Sequence, residues 1–331
     1  MKPYPILELK CDSVLAPYMK DFVEQKRALG LRFNAQVEVF REFDRFCVKK
    51  KLNEPILTED IMNEWCQRRQ HESIVTHGMR VSYVRQLSHF LAANGLNVPA
   101  VFHPVSGKNQ NFIPYIFTHD EMARLLHAVD EIAVYSPISP ARHLIMPRLF
   151  RTLYACGLRI SEALTMLTED VDITKGTMLI REAKGGFDRL VVLPQGLKAD
   201  FAQYIQMPEV KPLMGTYFFP APSKGVYDTS HIYAYFRKSL RLAGIPHRGR
   251  GKGPRLHDIR HTFAVHVLNR WAAQGKDLYA RIPVLSAYLG HHTLASTENY
   301  LRLVPEAYGQ ITDTFDEKFP NMFAEAKYET D

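Results

Sequence analysis

The chain has 331 residues, a formal net charge of +7 and a hydrophobic content of 46%. This length predicts two domains, and no apolar run is long enough to span a bilayer. The N-terminal residues lack the apolar segment of a secretory signal, and the four cysteines are too widely separated to indicate a disulfide framework or a zinc ribbon. We therefore expect a cytoplasmic protein with two packed cores and no membrane partner.

The positive charge is concentrated in one segment. Residues 237–261 contain eight lysines and arginines and a single acid, Asp258, so this segment alone has the net charge of the whole chain. Such a basic block is typical of surfaces that bind polyanions such as DNA, although a solvated loop without a partner is the alternative. Seven of its basic residues are candidate DNA contacts: Arg237, Lys238, Arg241, Arg248, Arg250, Lys252 and Arg255.

The first hundred residues have the apolar spacing of four helices. Ser13 is a candidate cap for a helix that stops at Gly30, and Asn34 is a candidate cap for the next helix. Thr58 precedes a third helix, and a fourth helix runs to Gly95. We therefore assign residues 1–105 to a helical N-terminal domain.

A change of pattern marks the end of this domain. From Asn97 to Tyr115 the sequence has three prolines and no periodicity, which predicts a linker over residues 106–116. Thr118 and Glu121 then occupy the positions of a capping box at the start of a new helix. The second domain is therefore expected to cover residues 117–331.

The second domain combines helices with a short β-hairpin. A helical stretch leads to Tyr154 and is broken by Gly157, and the next helix is expected near Ser161. Two β-rich runs then flank a Lys-Gly-Gly turn in GTMLIREAKGGFDRLVVLP, and helices resume near His231. The predicted fold class is therefore mainly α with a small β-sheet (α+β).

Four segments hold the residues that are suited to chemistry: GLRISE (157–162), AKGGFDRL (183–190), LHDIRHTFA (256–264) and LGHHTLASTENYL (289–301). Arginine and lysine offer donors for a phosphodiester, histidine moves protons near neutral pH, and tyrosine is a nucleophile when its hydroxyl is activated. Neither paired carboxylates nor a P-loop nor an HExxH motif accompanies these four segments. This inventory indicates phosphoryl transfer without a metal.

Each segment taken alone also has an ordinary structural interpretation. Arg159 could form a surface ion pair, Lys184 could simply be the tip of a hairpin, and Tyr300 could be a core residue. His257 and His261 stand four residues apart, as helical zinc ligands do. However, no Glu follows His257 as in HExxH, and the arginine before His261 would place a cation beside the metal.

Taken together, the order and spacing of the four segments resemble those of the tyrosine recombinases, or phage integrases. The resemblance covers residues from about Tyr115 to Leu303, and the helical N-terminal region is similar to the core-binding domain of that family by pattern alone. Two positions depart from the commonest pattern. Ala183 stands where glycine often precedes the lysine, and Phe187 stands where a basic residue is common.

The resemblance implies a reaction of two successive transesterifications. Tyr300 matches the nucleophile, which attacks the scissile phosphate and forms a 3′-phosphotyrosyl bond. Arg159 and Arg260 match the arginines that hold the non-bridging oxygens and stabilise charge in the transition state. No metal or other cofactor is implied, because cationic side chains supply the electrostatic stabilisation.

The remaining matched residues have assisting roles. Lys184 corresponds to the hairpin lysine that protonates the leaving 5′ oxygen, and His257 corresponds to the proton acceptor for the tyrosine. His291 matches a further donor to the phosphate. Glu162 and Arg189 match an acid and an arginine that support the site.

The C-terminal residues are a candidate oligomerisation segment. Residues 304–331 contain seven acids and two lysines, a charge that DNA repels, and their apolar residues have near-helical spacing: Phe315, Phe319, Met322 and Phe323. Docking on a neighbouring protomer is the interpretation that the resemblance favours, and folding back on the same domain is the alternative. The resemblance implies a tetramer on double-stranded DNA, with room for accessory recombination proteins.

Within the family, the segment KDLYARIPVLSAYLGH favours a recombinase of a mobile element or transposon over a resolvase of chromosome dimers. Two other functions remain open. One is a nicking and closing enzyme that resembles type IB topoisomerases, and the other is a DNA-binding protein without catalytic activity.

Overall fold

The computed structural model describes residues 6–99, 113–132, 139, 141–181, 188–247, 249, 253–291 and 293–304. The chain divides into two compact units, Met1–Phe112 and Ile113–Asp331. Helices dominate both units, and the second unit also has a three-stranded sheet, which confirms the predicted fold class. Over the described ranges, no helix has the length and apolar character that crossing a membrane requires.

Over residues 6–99 the N-terminal unit has four helices: α1 (Ala16–Ala28), α2 (Asn34–Lys49), α3 (Glu59–Cys66) and α4 (Ile74–Ala93). Their buried faces meet in one core that includes Phe22, Phe40 and Phe43. The predicted cap of α3 is confirmed, because the Thr58 side chain accepts a hydrogen bond from the Ile61 amide. The structure therefore has a helix at each of the four places where the apolar spacing predicts one.

The predicted cap of α2 is wrong. Asn34 is the first residue of the helix, and the residue before it, Phe33, has a φ of 57°. The Asn34 Oδ1 atom instead accepts a hydrogen bond from the Leu7 amide at 3.0 Å. A contact with a residue distant in the sequence has thus replaced the local cap that an isolated helix would use.

The second unit contains eight α-helices and the small sheet in its described part. The helices are α5 (His119–Ile132), α6 (Arg142–Cys156), α7 (Ile160–Leu164), α8 (Gln195–Tyr204), α9 (Thr229–Leu242), α10 (Asp258–Ala273), α11 (Leu278–Leu289) and α12 (Ala295–Glu298). Short 3₁₀ turns cover Thr168–Asp170 and Leu301–Leu303. The predicted capping box of α5 is confirmed, since Thr118 and Glu121 bond to each other's backbone amides.

The sheet is antiparallel, in the order β1 (Val171–Asp172), β2 (Thr177–Ile180) and β3 (Arg189–Val192). Leu179 pairs with Leu190, so the predicted hairpin strands are confirmed. The sequence did not reveal β1, which has only two residues, or α8, which buries Leu197, Phe201 and Tyr204.

Two apolar clusters hold the second unit together and position its site. The larger one packs α5, α6 and α9 around residues such as Leu149 and Phe236. The smaller one joins α10 to α11 and includes Tyr300 and Val304. Since α6 and α10 also contact each other, the loop after α6, the start of α10 and the end of α11 are brought close together.

Candidate active site

A buried carboxylate organises the arginines of the site. Glu162 lies in α7, and its Oε1 is 2.6 Å from Nη1 of Arg159. Arg189 bonds both carboxylate oxygens, at 3.0 and 2.7 Å, and Nη1 of Arg260 is 3.8 Å from Oε2. Burial alone would raise the pKa of Glu162, but the hydrogen bonds and charge of Arg189 and the charge of Arg260 hold it at about 2. Glu162 is therefore ionised and offsets part of the clustered positive charge.

Backbone carbonyls at two helix ends hold the same arginines. Arg260, only 1% exposed, donates from Nη1 to the Gly157 carbonyl at 2.8 Å and from Nη2 to the Leu289 carbonyl. Arg159 donates to the carbonyl of Gly290 at 3.1 Å, and Arg189 donates to that of Tyr288 at 2.8 Å.

These carbonyls belong to the C-terminal ends of α6 and α11, where the last carbonyls of a helix lack intrahelical partners and carry partial negative charge. The helix ends thus fix the guanidinium groups in place and reduce the electrostatic cost of placing them together.

Two glycines make these helix ends possible. Gly157 ends α6 with a φ of 60°, and Gly290 ends α11 with a φ of 65°, both in the left-handed region that favours glycine. A Cβ atom on Gly157 would lie 2.4 Å from Cδ1 of Phe263, and one on Gly290 would lie 3.0 Å from Nη1 of Arg189. The glycines of the GLR and LGH segments are therefore required both by backbone conformation and by close packing.

Tyr300 is buried, with 4% of the residue exposed, and its hydroxyl contacts one histidine of a group of three. The Tyr300 hydroxyl is 2.8 Å from Nδ1 of His261, and the ring of His257 packs edge-on against the His261 ring with centroids 4.7 Å apart. The His291 ring centroid is 6.1 Å from that of Tyr300, and its Nδ1 is 2.8 Å from Oγ1 of Thr297. The predicted nucleophile thus lies among imidazole groups, with His261 as its hydrogen-bond partner.

Electrostatics keep these histidines neutral. Burial and neighbouring charges, Arg260 among them, lower the pKa of His261 and of His291 to about 3 each. Burial and the charges of Arg260, Arg159 and Arg255 also lower the pKa of His257, to about 4. Burial raises the pKa of Tyr300, while Arg260 and Arg159 oppose that rise.

The structure brings together seven of the predicted site residues: Arg159, Glu162, Arg189, His257, Arg260, His291 and Tyr300. Lys184 lies outside the described residues, as do three predicted DNA contacts, Arg248, Arg250 and Lys252.

The other predicted DNA contacts lie in the described part of the chain. Arg237, Lys238 and Arg241 are exposed on α9. Arg255 is exposed too, and its Nη2 is 3.3 Å from Oδ1 of Asp258.

His261 is the residue that the sequence analysis missed as part of this site. The matched motif assigns the proton acceptor to His257, and the spacing of His261 from His257 suggested only a pair of zinc ligands. The signal that could have found it is its spacing: residues four apart on a helix lie on one face. His257 is the N-cap residue of α10, and His261 follows it by four residues in the first turn and a half.

Comparison with known proteins identifies the family. The sequence model described as "Phage integrase family" matches residues 116–306. This chain belongs to that family, the tyrosine recombinases. The resemblance drawn from the four segments is therefore confirmed.

Relatives of this tyrosine recombinase extend over most of the chain. The Sinorhizobium fredii protein y4rB, named as an integrase/recombinase, is 28% identical over 87% of this chain and 92% of its own. Tyrosine recombinase XerD of Rhizobium meliloti is 30% identical over 69% and 70%. The solved structure of XerH site-specific recombinase bound to difH substrate, 18% identical, covers 88% of this chain and 79% of its own with a TM-score of 0.57, which shows a shared fold.

Proposed function

We propose that this tyrosine recombinase cleaves and rejoins double-stranded DNA through a covalent bond between Tyr300 and a 3′ phosphate. One observation carries the proposal. The Tyr300 hydroxyl lies within the electrostatic influence of Arg260 and Arg159, two guanidinium groups that are fixed by Glu162 and by helix-end carbonyls. Preorganised cations beside a hydroxyl nucleophile stabilise the charge that develops on a phosphoryl group during transfer.

The proposed reaction conserves the energy of the phosphodiester. Tyr300 attacks the phosphorus, Arg159 and Arg260 stabilise the non-bridging oxygens, and the 5′ oxygen leaves with a proton from Lys184. His291 contributes a further donor to the phosphate. The reverse attack by a 5′ hydroxyl on the phosphotyrosine rejoins a strand, so neither ATP nor a metal takes part.

Helix α9 supplies the proposed contact with the DNA backbone. Its buried side includes Ile232 and Phe236, whereas Arg237, Lys238 and Arg241 are exposed. Positive side chains on one exposed helix face attract phosphates and release counterions when they bind. With Arg255 and the basic residues 248–252, this face is the proposed DNA-binding surface of the second unit.

The finer biological role is also part of the proposal. The recombinase assembles as a tetramer on DNA, with its acidic C-terminal residues docked on the next protomer, and acts for a mobile element with or without accessory proteins. Support comes from the composition of residues 304–331, which lie outside the described range apart from Val304 and combine net negative charge with an apolar pattern. Such a composition suits a protein partner better than DNA.

A trapping experiment tests the proposed function. Random duplexes selected for binding to the protein give a bound sequence, from which duplexes are made with a nick close to the cleavage point. Cleavage then releases a short strand, so rejoining fails and a covalent adduct accumulates. The native chain should give a gel-stable adduct and Tyr300→Phe none, with similar DNA affinity. An adduct with the Phe variant, or none with the native chain, would contradict the proposal.

A second assay separates recombination from the alternative functions. A plasmid with two copies of the bound sequence should be resolved or inverted by a recombinase. Relaxation of a supercoiled plasmid without exchange between the two copies would instead favour a nicking and closing enzyme. Binding without any adduct would favour a DNA-binding protein that lacks catalysis.

A further inference from the structure

The Tyr300 hydroxyl contacts a histidine that the sequence motif does not assign to it. Its hydrogen-bond partner is Nδ1 of His261 at 2.8 Å. We propose that His261 is a catalytic residue that accepts the phenolic proton when Tyr300 attacks the phosphate. This inference rests on the proposed function, and it replaces His257 as the base expected from the resemblance.

The helical geometry of α10 explains why His261 meets Tyr300. Within the small apolar cluster, Tyr300 packs with Ala264, Val265 and Leu268 of α10. Together with His261 these residues follow the spacing of 3, 4 and 7 that places side chains on one face of a helix. His261 is therefore the polar end of the face that holds the tyrosine ring, and packing fixes the distance between the two polar groups.

The direction of the hydrogen bond follows from the charges around the hydroxyl. The positive Arg260 acts on the oxygen of Tyr300, so the hydroxyl hydrogen points away from the arginine and toward His261. The low pKa of His261, caused by burial and the positive neighbours, leaves its ring neutral. A neutral imidazole with an unprotonated Nδ1 is the form that accepts a proton.

The proton balance of the step is complete. As the bond from Tyr300 oxygen to phosphorus forms, the phenolic proton moves to Nδ1 of His261 and gives an imidazolium. The bond between phosphorus and the 5′ oxygen breaks, and that oxygen takes its proton from the acid assigned to Lys184. In the rejoining step the proton on His261 returns to the leaving tyrosine, so one residue serves as base and then as acid.

The surrounding charges couple the base to the substrate. The groups that act on His261 are Arg255, Arg260, His257, His291 and Tyr300. A phosphodiester bound by the arginines adds a negative charge that offsets theirs, which raises the pKa of His261 from its low value toward the ordinary range. His261 thus becomes a stronger base only where the phosphate to be attacked is present.

Two substitutions distinguish proton transfer from simple positioning. His261→Asn places an amide oxygen near the position of Nδ1, so it keeps a hydrogen-bond acceptor but has no basic nitrogen. His261→Ala removes both and leaves space for a small molecule. In single-turnover reactions on the nicked duplex, both variants should form adduct roughly a hundredfold more slowly than the native chain, with unchanged DNA affinity.

Chemical rescue and pH give the decisive readouts. Added imidazole should restore adduct formation by His261→Ala, increasingly with pH as the added base loses its proton, and should not rescue Tyr300→Phe. The native rate should fall as acid protonates His261, and His261→Asn should lose that dependence. A native rate in His261→Asn or a failed rescue of His261→Ala would overturn the proposal. Faster cleavage by His261→Ala would also overturn it, because it would indicate that His261 restrains the tyrosine.

A measurement without DNA separates this inference from the proposed function. Tyrosines labelled with ¹³C at Cζ report phenol ionisation by NMR, and the signal missing from Tyr300→Phe identifies Tyr300. Its chemical shift and pKa should change in His261→Ala and stay unchanged in the exposed control His127→Ala. No change in His261→Ala would refute the contact and with it the proposed role of His261. A change without any adduct from the native chain would support the contact and refute the proposed function, on which that role depends.

Discussion

Arg189 and Glu162 form a bidentate ion pair between β3 and α7, with the arginine side chain 8% exposed and the carboxylate side chain 7% exposed. The pair links the sheet to the helix that presents Arg159. Because Arg189 also donates to the Tyr288 carbonyl of α11, one side chain ties together three elements of the site. Arg189 is thus a positioning residue for the arginines.

Arg189→Ala should destabilise the second unit by about 3–5 kcal/mol, because it leaves a buried carboxylate with fewer partners. The free energy of unfolding, measured with urea, checks this value. Lys175→Ala is the matched control, since its ion pair with Asp172 is exposed and solvent screening leaves such a pair little effect on stability. Equal effects of the two substitutions would contradict a structural role for the buried pair.

Glu162 should also give the second unit a characteristic acid response. Its pKa in the folded state is held at about 2, below the ordinary value of about 4.3 for an unfolded glutamate. A lowered folded pKa stabilises the fold fully above pH ~4.5 and loses that contribution as pH falls toward 2. Between pH ~4.5 and ~2 the free energy of unfolding should therefore fall less in Glu162→Gln than in the native chain. Urea unfolding at several pH values measures this difference.

The two helix-end glycines should not tolerate alanine. Gly157→Ala and Gly290→Ala each combine an unfavourable φ with a Cβ that meets a neighbour within 3.0 Å. Gly275→Ala is the control, because Gly275 has a φ of 67° and nothing within 4 Å of its added Cβ. The control should cost only the conformational strain of about 1–2 kcal/mol.

Gly157→Ala should lower the free energy of unfolding more than the Gly275→Ala control does, because Phe263 must move. It should also slow adduct formation. Gly290→Ala should have both effects to a smaller degree, because the flexible side chain of Arg189 can shift. If all three substitutions behaved alike, steric contact at the site glycines would be irrelevant.

Much of this site could be predicted because its residues lie in short local motifs. Arg159 and Glu162 are three residues apart, and His257 and Arg260 share the start of one helix. The α-helical period determines how such neighbours are arranged, so sequence spacing predicts their proximity. The capping box of α5 was predicted for the same reason.

Long-range contacts were beyond such reasoning. The carbonyls that hold Arg260 come from Gly157 and Leu289, 103 and 29 residues away in the sequence, and backbone acceptors carry no side-chain signature. The hydrogen bond from the Leu7 amide to Asn34 could not be predicted either, because it also joins a backbone group to a residue distant in the sequence. His261 was missed because its role depends on how Tyr300 packs against α10, which the local sequence does not determine.

Arg159→Ala and Arg260→Ala should each slow covalent cleavage by about a hundredfold or more. Preorganised donors to developing charge contribute that much in other enzymes. Arg260→Lys should not restore the rate, since one ammonium group cannot reproduce a planar guanidinium held by two carbonyls. Single-turnover adduct formation gives the rate, and binding measured in parallel should change little. A native cleavage rate in either alanine variant would remove that arginine from the proposed mechanism.

The exposed basic face of α9 should determine how DNA affinity depends on salt. Arg237, Lys238 and Arg241 are exposed there, and each contact between a cation and a phosphate contributes about 0.9 to the slope of log affinity against log salt. Replacing all three by glutamine should therefore weaken binding to any duplex and reduce the slope by up to about three. Fluorescence anisotropy with one duplex at several salt concentrations measures both quantities.

A control with the same change in net charge makes this prediction specific to α9. Lys175, Lys211 and Lys224 are also exposed in the second unit, and their triple glutamine variant alters the overall charge equally. Long-range attraction between the whole protein and DNA would reduce the slope similarly in both variants, because it depends on net charge. Direct phosphate contacts require that the α9 variant reduce the slope while the control leaves it nearly unchanged. A slope unchanged by the α9 substitutions would exclude that helix from the DNA interface.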